Sequence, residues 1–290
     1  MAVYERSYGR YTGLTTPEWS RFLILPRYAY ETVFKSRLFV SFFALCFLMP
    51  FVGLLIIYLH HNLSALQFLQ LPPEELKRFL PINNEFFWRG LWFQGALSLL
   101  LVLFVGPALV SPDLRNNGLP LYLSRPFSRT EYVLGKMSVL LILLSLITWI
   151  PGLLLFFFQG YLEGAGWIGD NLGIAGALFA GSWTWILFLS LFALAVSAWV
   201  KWKPVARIAL MGLFFVLMGF GEALNEILDV WWGTLISAWH VIASIWLSLF
   251  GLDPSNDLPP AGASWVALAA GSAIFLWLLY RRIRAYEVVR

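Results

Sequence analysis

Hydrophobic positions along the chain are gathered into long runs, separated by short polar connections. Six of these runs approach or exceed the roughly 20 residues that a helix needs to cross the hydrocarbon core of a bilayer. They cover residues 38–59, 91–110, 137–159, 173–200, 205–220 and 263–280. Pro50 and Pro151 lie inside the first and third runs, and proline lacks the N–H that a helix interior needs. The pattern predicts an all-α membrane protein with six transmembrane helices, kinked near Pro50 and distorted at Pro151.

The stretch before the first run carries apolar residues at helical spacing. Its clearest apolar face is formed by Trp19, Phe22 and Leu23. Arginines and lysines stand beside these aromatic residues throughout residues 16–37. This composition is typical of an amphipathic helix in the membrane interface, bent here near Pro26, although a polar lead-in to the first span is the alternative. The chain then divides into residues 1–37, a tail with an interfacial helix, and residues 38–290, the transmembrane domain.

One further apolar stretch, residues 230–250, is long enough to cross a membrane. If it crossed, the basic C-terminus would lie on the opposite side from the other basic segments, against the charge rule given below. We therefore expect a re-entrant or surface-lying helical pair between spans five and six, broken near residues 233–237.

Composition supports lipid as the solvent for much of the surface. Of the 290 residues, 60% are hydrophobic and 12% are charged, whereas soluble domains are about half apolar and about a quarter charged. The single cysteine, Cys46, excludes an intramolecular disulfide. Outside the segments that flank the spans, no basic cluster alternates with aromatic residues, so we expect no nucleic-acid partner.

Charged residues are distributed unevenly between alternate connections. In the six-span arrangement, 17 of the 20 basic residues fall on the side that carries both termini. The other three are Lys77, Arg78 and Arg89. Most acidic residues fall on the other side. Because basic connections stay inside the cell, both termini are expected in the cytoplasm, with the chain in the plasma or inner membrane.

The polar segment between the second and third apolar runs, residues 111–136, is placed in the cytoplasm by this rule. Its sequence is SPDLRNNGLPLYLSRPFSRTEYVLGK. Ser128 and Glu131 have the spacing of a capping box, which predicts a new helix start there. A basic hairpin with a capped helix indicates a docking surface for a soluble partner, and an ordinary charged loop that orients its neighbours is the alternative.

The sequence carries no known catalytic pattern. HExxH, GxSxG, Walker and glycine-rich nucleotide motifs are missing, so we expect a chain that is not an enzyme and holds neither a metal nor a cofactor. One acidic face remains, formed by Glu222, Glu226 and Asp229 at helical spacing. It could bind a cation or a basic substrate group at the outer mouth, and a solvated helix end is the alternative.

The order of these segments resembles the type-2 ABC transporter permeases, most closely at residues 113–136 with the sequence DLRNNGLPLYLSRPFSRTEYVLGK. The resemblance implies that the N-terminal helix is an elbow helix and that the region between spans five and six forms re-entrant outer helices. It also implies that the hairpin is a coupling helix, docked on a separate subunit that binds ATP with Mg²⁺.

A pair of permease copies or paralogues and a pair of ATPase subunits would form the working unit, and we expect an exporter. The hairpin would transmit the motion of the ATPase subunits to spans one, two and five. The residues expected to contact the ATPase or set the bend of the hairpin are Arg115, Asn116, Arg125, Pro126, Arg129 and Glu131. A membrane scaffold or sensor that docks a partner without transporting anything is the alternative function.

Overall fold

The computed structural model describes residues 24–62, 81–116, 118, 128–254 and 257–283. Every regular element in these ranges is a helix. In chain order the helices are α1 (Ile24–Phe34), α2 (Arg37–Leu45), α3 (Leu48–His61), α4 (Asn84–Leu109), α5 (Ser111–Arg115), α6 (Arg129–Ile147), α7 (Trp149–Glu163), α8 (Ala165–Asp170), α9 (Leu172–Trp199), α10 (Lys203–Leu228), a 3₁₀-helix (Gly233–Ile236), α11 (Ala238–Leu249) and α12 (Ala261–Arg282).

Six helical segments in the described residues are long and apolar enough to cross a membrane, as the sequence predicts. Numbered one to six as spans, they are Arg37–His61, Asn84–Arg115, Arg129–Glu163, Leu172–Trp199, Lys203–Leu228 and Ala261–Arg282. The shortest has 22 residues, and at 1.5 Å per residue it extends about 33 Å, against a hydrocarbon core of about 30 Å.

Helix starts follow the capping residues in the sequence. The Ser128 side chain accepts from the backbone N–H of Glu131, and Glu131 accepts from the backbone N–H of Ser128, so the predicted capping box is confirmed. Ser36, Asn83 and Ser237 cap α2, α4 and α11 in the same way, each through one backbone N–H. These side chains satisfy donors that have no partner within the helix.

Proline interrupts spans one and three, as predicted. Span one breaks at Cys46 and Phe47, four residues before Pro50, because proline cannot donate to the carbonyl of residue i−4. The Gln94 side chain of span two donates to that Cys46 carbonyl, at 2.9 Å. Span three breaks at Thr148, just before Pro151.

Pro107 lies inside α4 without ending it. The carbonyl that it leaves without a helical donor, that of Leu103, accepts from the Arg207 guanidinium of span five at 3.1 Å. Side chains from neighbouring spans therefore supply hydrogen bonds that proline removes, as a bilayer without water requires.

Alternate connections meet at the same end of the bundle. At one end Arg282 donates to the carbonyl of Ala198, and the charges around these helix ends are mainly basic, so we call it the basic end. At the opposite end Asn84 donates to the carbonyl of Phe250. Arg89 is the one lysine or arginine among the described residues there, and we call it the acidic end. The charge separation predicted from the sequence is therefore present in the fold.

Spans two and four form the centre of the bundle. Two thirds of their most apolar stretches, 67% in each, are buried, against 17%, 22% and 17% in spans one, five and six. A layer of tryptophans fills the space between the central spans. Trp185 donates to the carbonyl of Gly95 and to Ser98 Oγ, and Trp246 of α11 donates to the carbonyl of Gly181 at 2.8 Å.

The region between spans five and six differs in part from its prediction. Span five continues to Leu228 rather than ending at residue 220, because polar residues stop a hydrophobic run without stopping a helix. The predicted break near residues 233–237 is confirmed as the 3₁₀-helix. One α-helix follows it, α11, which is about 18 Å long and is buried against the bundle along most of its length. Whether this region is re-entrant or surface-lying stays a prediction.

Helix α1 packs on span three. The Tyr30 hydroxyl donates to the carbonyl of Val139 at 3.1 Å, and burial raises the pKa of Tyr30 to about 12, so the phenol keeps its proton. Tyr30 and Phe34, four residues apart on α1, make an edge-to-face ring contact. The part of the predicted interfacial helix that precedes Ile24 lies outside the described residues.

Candidate functional site

The polar segment 111–136 begins in α5 and ends in the first two turns of α6. Of the six predicted docking residues, Arg125 and Pro126 lie outside the described residues. Arg115 and Asn116 are exposed at the end of α5, and Arg129 is exposed at the start of α6. These three side chains share the basic end of the bundle.

Glu131 has a local structural function as well. Its carboxylate accepts from the Ser128 backbone N–H at 2.6 Å and completes the capping box. The sequence assigned it to both functions, and the structure places it in the cap that starts α6.

A partly buried ion pair joins the two arms of this segment. Lys136 Nζ of α6 lies 2.8 Å from Asp113 Oδ2 of α5, with side chains that are 11% and 16% exposed. The hydroxyl of Tyr132, a fully buried residue, donates to the same carboxylate oxygen at 2.7 Å. We call Asp113, Tyr132 and Lys136 the clasp. It fixes the end of span two against the start of span three.

Ser197 ties the same arm to span four. Its hydroxyl oxygen accepts from the backbone N–H groups of Val110 and Ser111, at 3.2 and 3.0 Å. The Ser111 hydroxyl in turn donates to the Ser197 carbonyl at 3.1 Å. All three groups are buried, so Ser197 satisfies donors at the junction of α4 and α5 that would otherwise have no partner.

Arg115 extends these contacts to the turn before span five. Its guanidinium lies 5.1 Å from the centre of the Trp202 ring, within the range of a cation–π interaction. The residues that hold the segment in place, Asp113, Tyr132, Lys136 and Ser197, were not predicted as site residues. A sequence signal existed for one pair, since Asp113 and Lys136 carry opposite charges at the two ends of the loop.

The predicted acidic face lies at the acidic end of span five. Glu222 and Glu226 are on the last two turns of α10, whereas Asp229 follows the helix in a left-handed conformation with φ of 51°. The prediction that all three residues lie on one helical face is therefore wrong, because Asp229 lies beyond the end of the helix. They nevertheless line the same open cavity of about 700 Å³, together with Asn225 and Thr234. All three carboxylates are exposed.

His240 connects this cavity to a second one. Its Nε2 lies 3.3 Å from Glu222 Oε1, and its Nδ1 lies 2.8 Å from Ser237 Oγ. The second cavity, of about 610 Å³, is walled by Trp88, Trp92 and Trp239. The sequence did not indicate it, because its walls come from α4 and α11, which are distant in the chain.

In the part of the chain that the structure describes, no three histidine, cysteine or carboxylate side chains are grouped so that they could hold a metal ion. No model of a known protein family matches the sequence, and no curated protein matches it.

Proposed function

We propose that this chain is the membrane permease subunit of an ATP-driven transporter, and that residues 111–136 dock a separate ATP-hydrolysing subunit. The observation that carries the proposal is the clasp. The partly buried ion pair of the clasp, with the Tyr132 hydroxyl as an added donor, would make the two arms of the segment move as one rigid body. A loop that only connects two spans does not require its arms to be fixed to each other in this way.

The contacts at the basic end suggest which spans would move if a partner displaced segment 111–136. The clasp leads to spans two and three, Ser197 leads to span four, and Arg115 leads to the turn before span five. Packed helices move as rigid elements between discrete arrangements. We therefore propose that closure of the ATPase displaces spans two to four together, in place of the path through spans one, two and five expected from the sequence.

The exposed side chains on either side of residues 119–127 would form the docking surface. Arg115 and Arg129 can each hold a carboxylate with two parallel hydrogen bonds, and Asn116 adds a neutral donor and acceptor. Arg125 and Pro126 belong to the same proposed surface. Chemistry would occur in the partner, which binds ATP and Mg²⁺, so this chain is proposed to be non-enzymatic.

The remaining assignments follow from charge and exposure. The basic end is proposed to face the cytoplasm of the plasma or inner membrane, with both termini there. Spans one, five and six expose most of their apolar surface, which lipid or a second permease copy would cover. From the family resemblance alone, we further propose that α11 is a re-entrant outer helix, that α1 is the elbow helix and that the direction of transport is export.

Charge reversal on the docking surface is expected to release the ATPase. In the doubly substituted Arg115→Glu/Arg129→Glu chain, recovery of ATP-hydrolysing activity with the tagged permease should fall at least about tenfold, because facing like charges cost several kcal/mol. Both side chains are exposed, so the fold should be retained. The measurement is co-purification from membranes followed by an ATP hydrolysis assay.

Arg281→Glu is the matched control, since Arg281 is an exposed arginine at the same end, stacked on Trp277 of span six. Unchanged recovery in the double variant, with wild-type thermal stability, would remove the docking proposal. If docking holds but no substrate stimulates ATP hydrolysis in the reconstituted complex, the chain is a scaffold or sensor rather than a transporter.

A further inference from the structure

A cavity of about 250 Å³ lies between spans one, two, three and four, in the half of the bundle nearer the acidic end. Its walls are mostly apolar, and the polar side chains that line it are Arg89, Gln94 and Thr148. Arg89 is exposed and pairs with Glu85 at 2.6 Å, whereas Gln94 and Thr148 are buried. It is separate from the docking segment and from the two cavities around His240.

The two interrupted spans meet at this cavity. Pro50 of span one and Pro151 of span three both line it, and each is the third residue of the second half of its span. Irregular backbone at membrane depth is tolerated where it is enclosed by protein or lines a cavity. In membrane carriers, interrupted helices of this kind form binding sites near the middle of the bilayer.

Gln94 carries an unused acceptor beside the cavity that it lines. The residue is 5% exposed, and one N–H of its amide donates to the Cys46 carbonyl. Its Oε1 is buried without a hydrogen-bond partner. A buried acceptor in this state is unfavourable, so a ligand that supplies a donor would recover the loss.

Thr148 also offers an acceptor oxygen. It is 3% exposed, and its hydroxyl hydrogen is used on the Leu144 carbonyl at 2.7 Å, which leaves the oxygen as an acceptor. Both buried polar side chains therefore offer an acceptor oxygen. A hydroxyl group would find two acceptors there, and the second N–H of the Gln94 amide could donate to its oxygen in return.

Access is from the lipid side. Met49 and Val52, which line the cavity, are 40% and 36% exposed on the outer surface of span one. A cavity of about 150 Å³ takes one benzene molecule, so this larger one suits a substituted ring or a short branched chain. We infer that it binds a small apolar alcohol or phenol from the membrane, whose hydroxyl group donates to Gln94 Oε1.

The inference does not depend on the proposed ATPase docking, because binding needs only the membrane subunit. It can be tested with 4-butylphenol and with butylbenzene, which has nearly the same size but lacks the hydroxyl group. For the full chain in lipid nanodiscs, the rise of the unfolding temperature with ligand concentration gives the affinity. We expect the phenol to bind about five- to tenfold more tightly than butylbenzene, because one buried hydrogen bond contributes about that factor to affinity.

Two substitutions separate the hydroxyl contact from the space. Gln94→Met keeps a similar volume and removes the acceptor, so the preference for the phenol should disappear. Gly90→Leu fills the cavity from span two, where an added Cβ atom would meet no other atom within 4 Å, so binding of both molecules should be lost. Gly212→Leu, on span five and equally open, should bind both molecules as the wild type does.

Gln94→Met also removes the donor to the Cys46 carbonyl and could lower stability. Gly90→Leu leaves that hydrogen bond intact, so it tests binding in the cavity independently of any loss of stability in the Gln94→Met chain. The inference is overturned if the Gly90→Leu chain binds the phenol as tightly as the wild type does. It is equally overturned if the wild type binds the two molecules alike, which would mean that Gln94 Oε1 is satisfied by a water molecule.

Discussion

Replacing Trp246 with alanine is expected to lower the free energy of unfolding by about 3–5 kcal/mol, the range for deleting a large buried aromatic side chain. Trp246 is fully buried between spans two and four, and its indole N–H donates to the Gly181 carbonyl. A Cβ atom on Gly95 would collide with its ring, and one on Gly181 would lie 2.9 Å from its Cδ1. The measurement is equilibrium unfolding of the purified protein.

Trp246→Phe separates volume from the hydrogen bond, since it keeps most of the ring and loses the N–H. Its loss should be smaller, about 1–3 kcal/mol. Trp265→Ala is the control, because Trp265 is 40% exposed at the start of span six, and it should change stability far less. Equal losses in the Trp246→Ala and Trp265→Ala chains would contradict the buried position of α11.

Breaking the clasp should have an effect of similar size. Lys136→Met leaves the partly buried Asp113 carboxylate beside Tyr132. Removing one member of a fully buried ion pair costs about 3–5 kcal/mol, which is the upper bound here. Asp113→Asn should cost a comparable amount, because it removes the carboxylate charge 2.8 Å from Lys136 Nζ. Thermal and denaturant unfolding of each single variant measure these losses.

The double variant Asp113→Asn/Lys136→Met supplies the diagnostic result. If the two charges are held against each other, its loss should be well below the sum of the single losses, as a double-mutant cycle requires. Lys35→Met is the matched control, since Lys35 pairs with Glu31 at the surface with its side chain 73% exposed. Additive losses in the cycle would show that the clasp does not form.

Local sequence signals were sufficient for much of the fold. Continuous apolar runs located all six spans, because the bilayer demands a fixed length of apolar helix. Ser128 and Glu131 located the start of α6, since both partners of a capping box lie within one turn. Pro50 and Pro151 located the interruptions of spans one and three for an equally local reason.

The features that the sequence did not reveal all join distant parts of the chain. Asp113 reaches Lys136 through a polar loop, Gln94 reaches a carbonyl of span one, and Trp246 fits against a glycine on each central span. Residue type does not specify such partners, because each depends on how the helices pack. The end of span five was missed for another reason: Glu222 and Glu226 continue the helix beyond the apolar run that marked the span.

The placement of the basic end inside the cell is the claim from which the docking proposal follows, and cysteine labelling tests it most directly. Arg129→Cys in a Cys46→Ala background places one thiol at an exposed position at the start of α6. A membrane-impermeant maleimide should leave it unlabelled in intact cells and label it in inside-out vesicles. Labelling in intact cells would contradict the account.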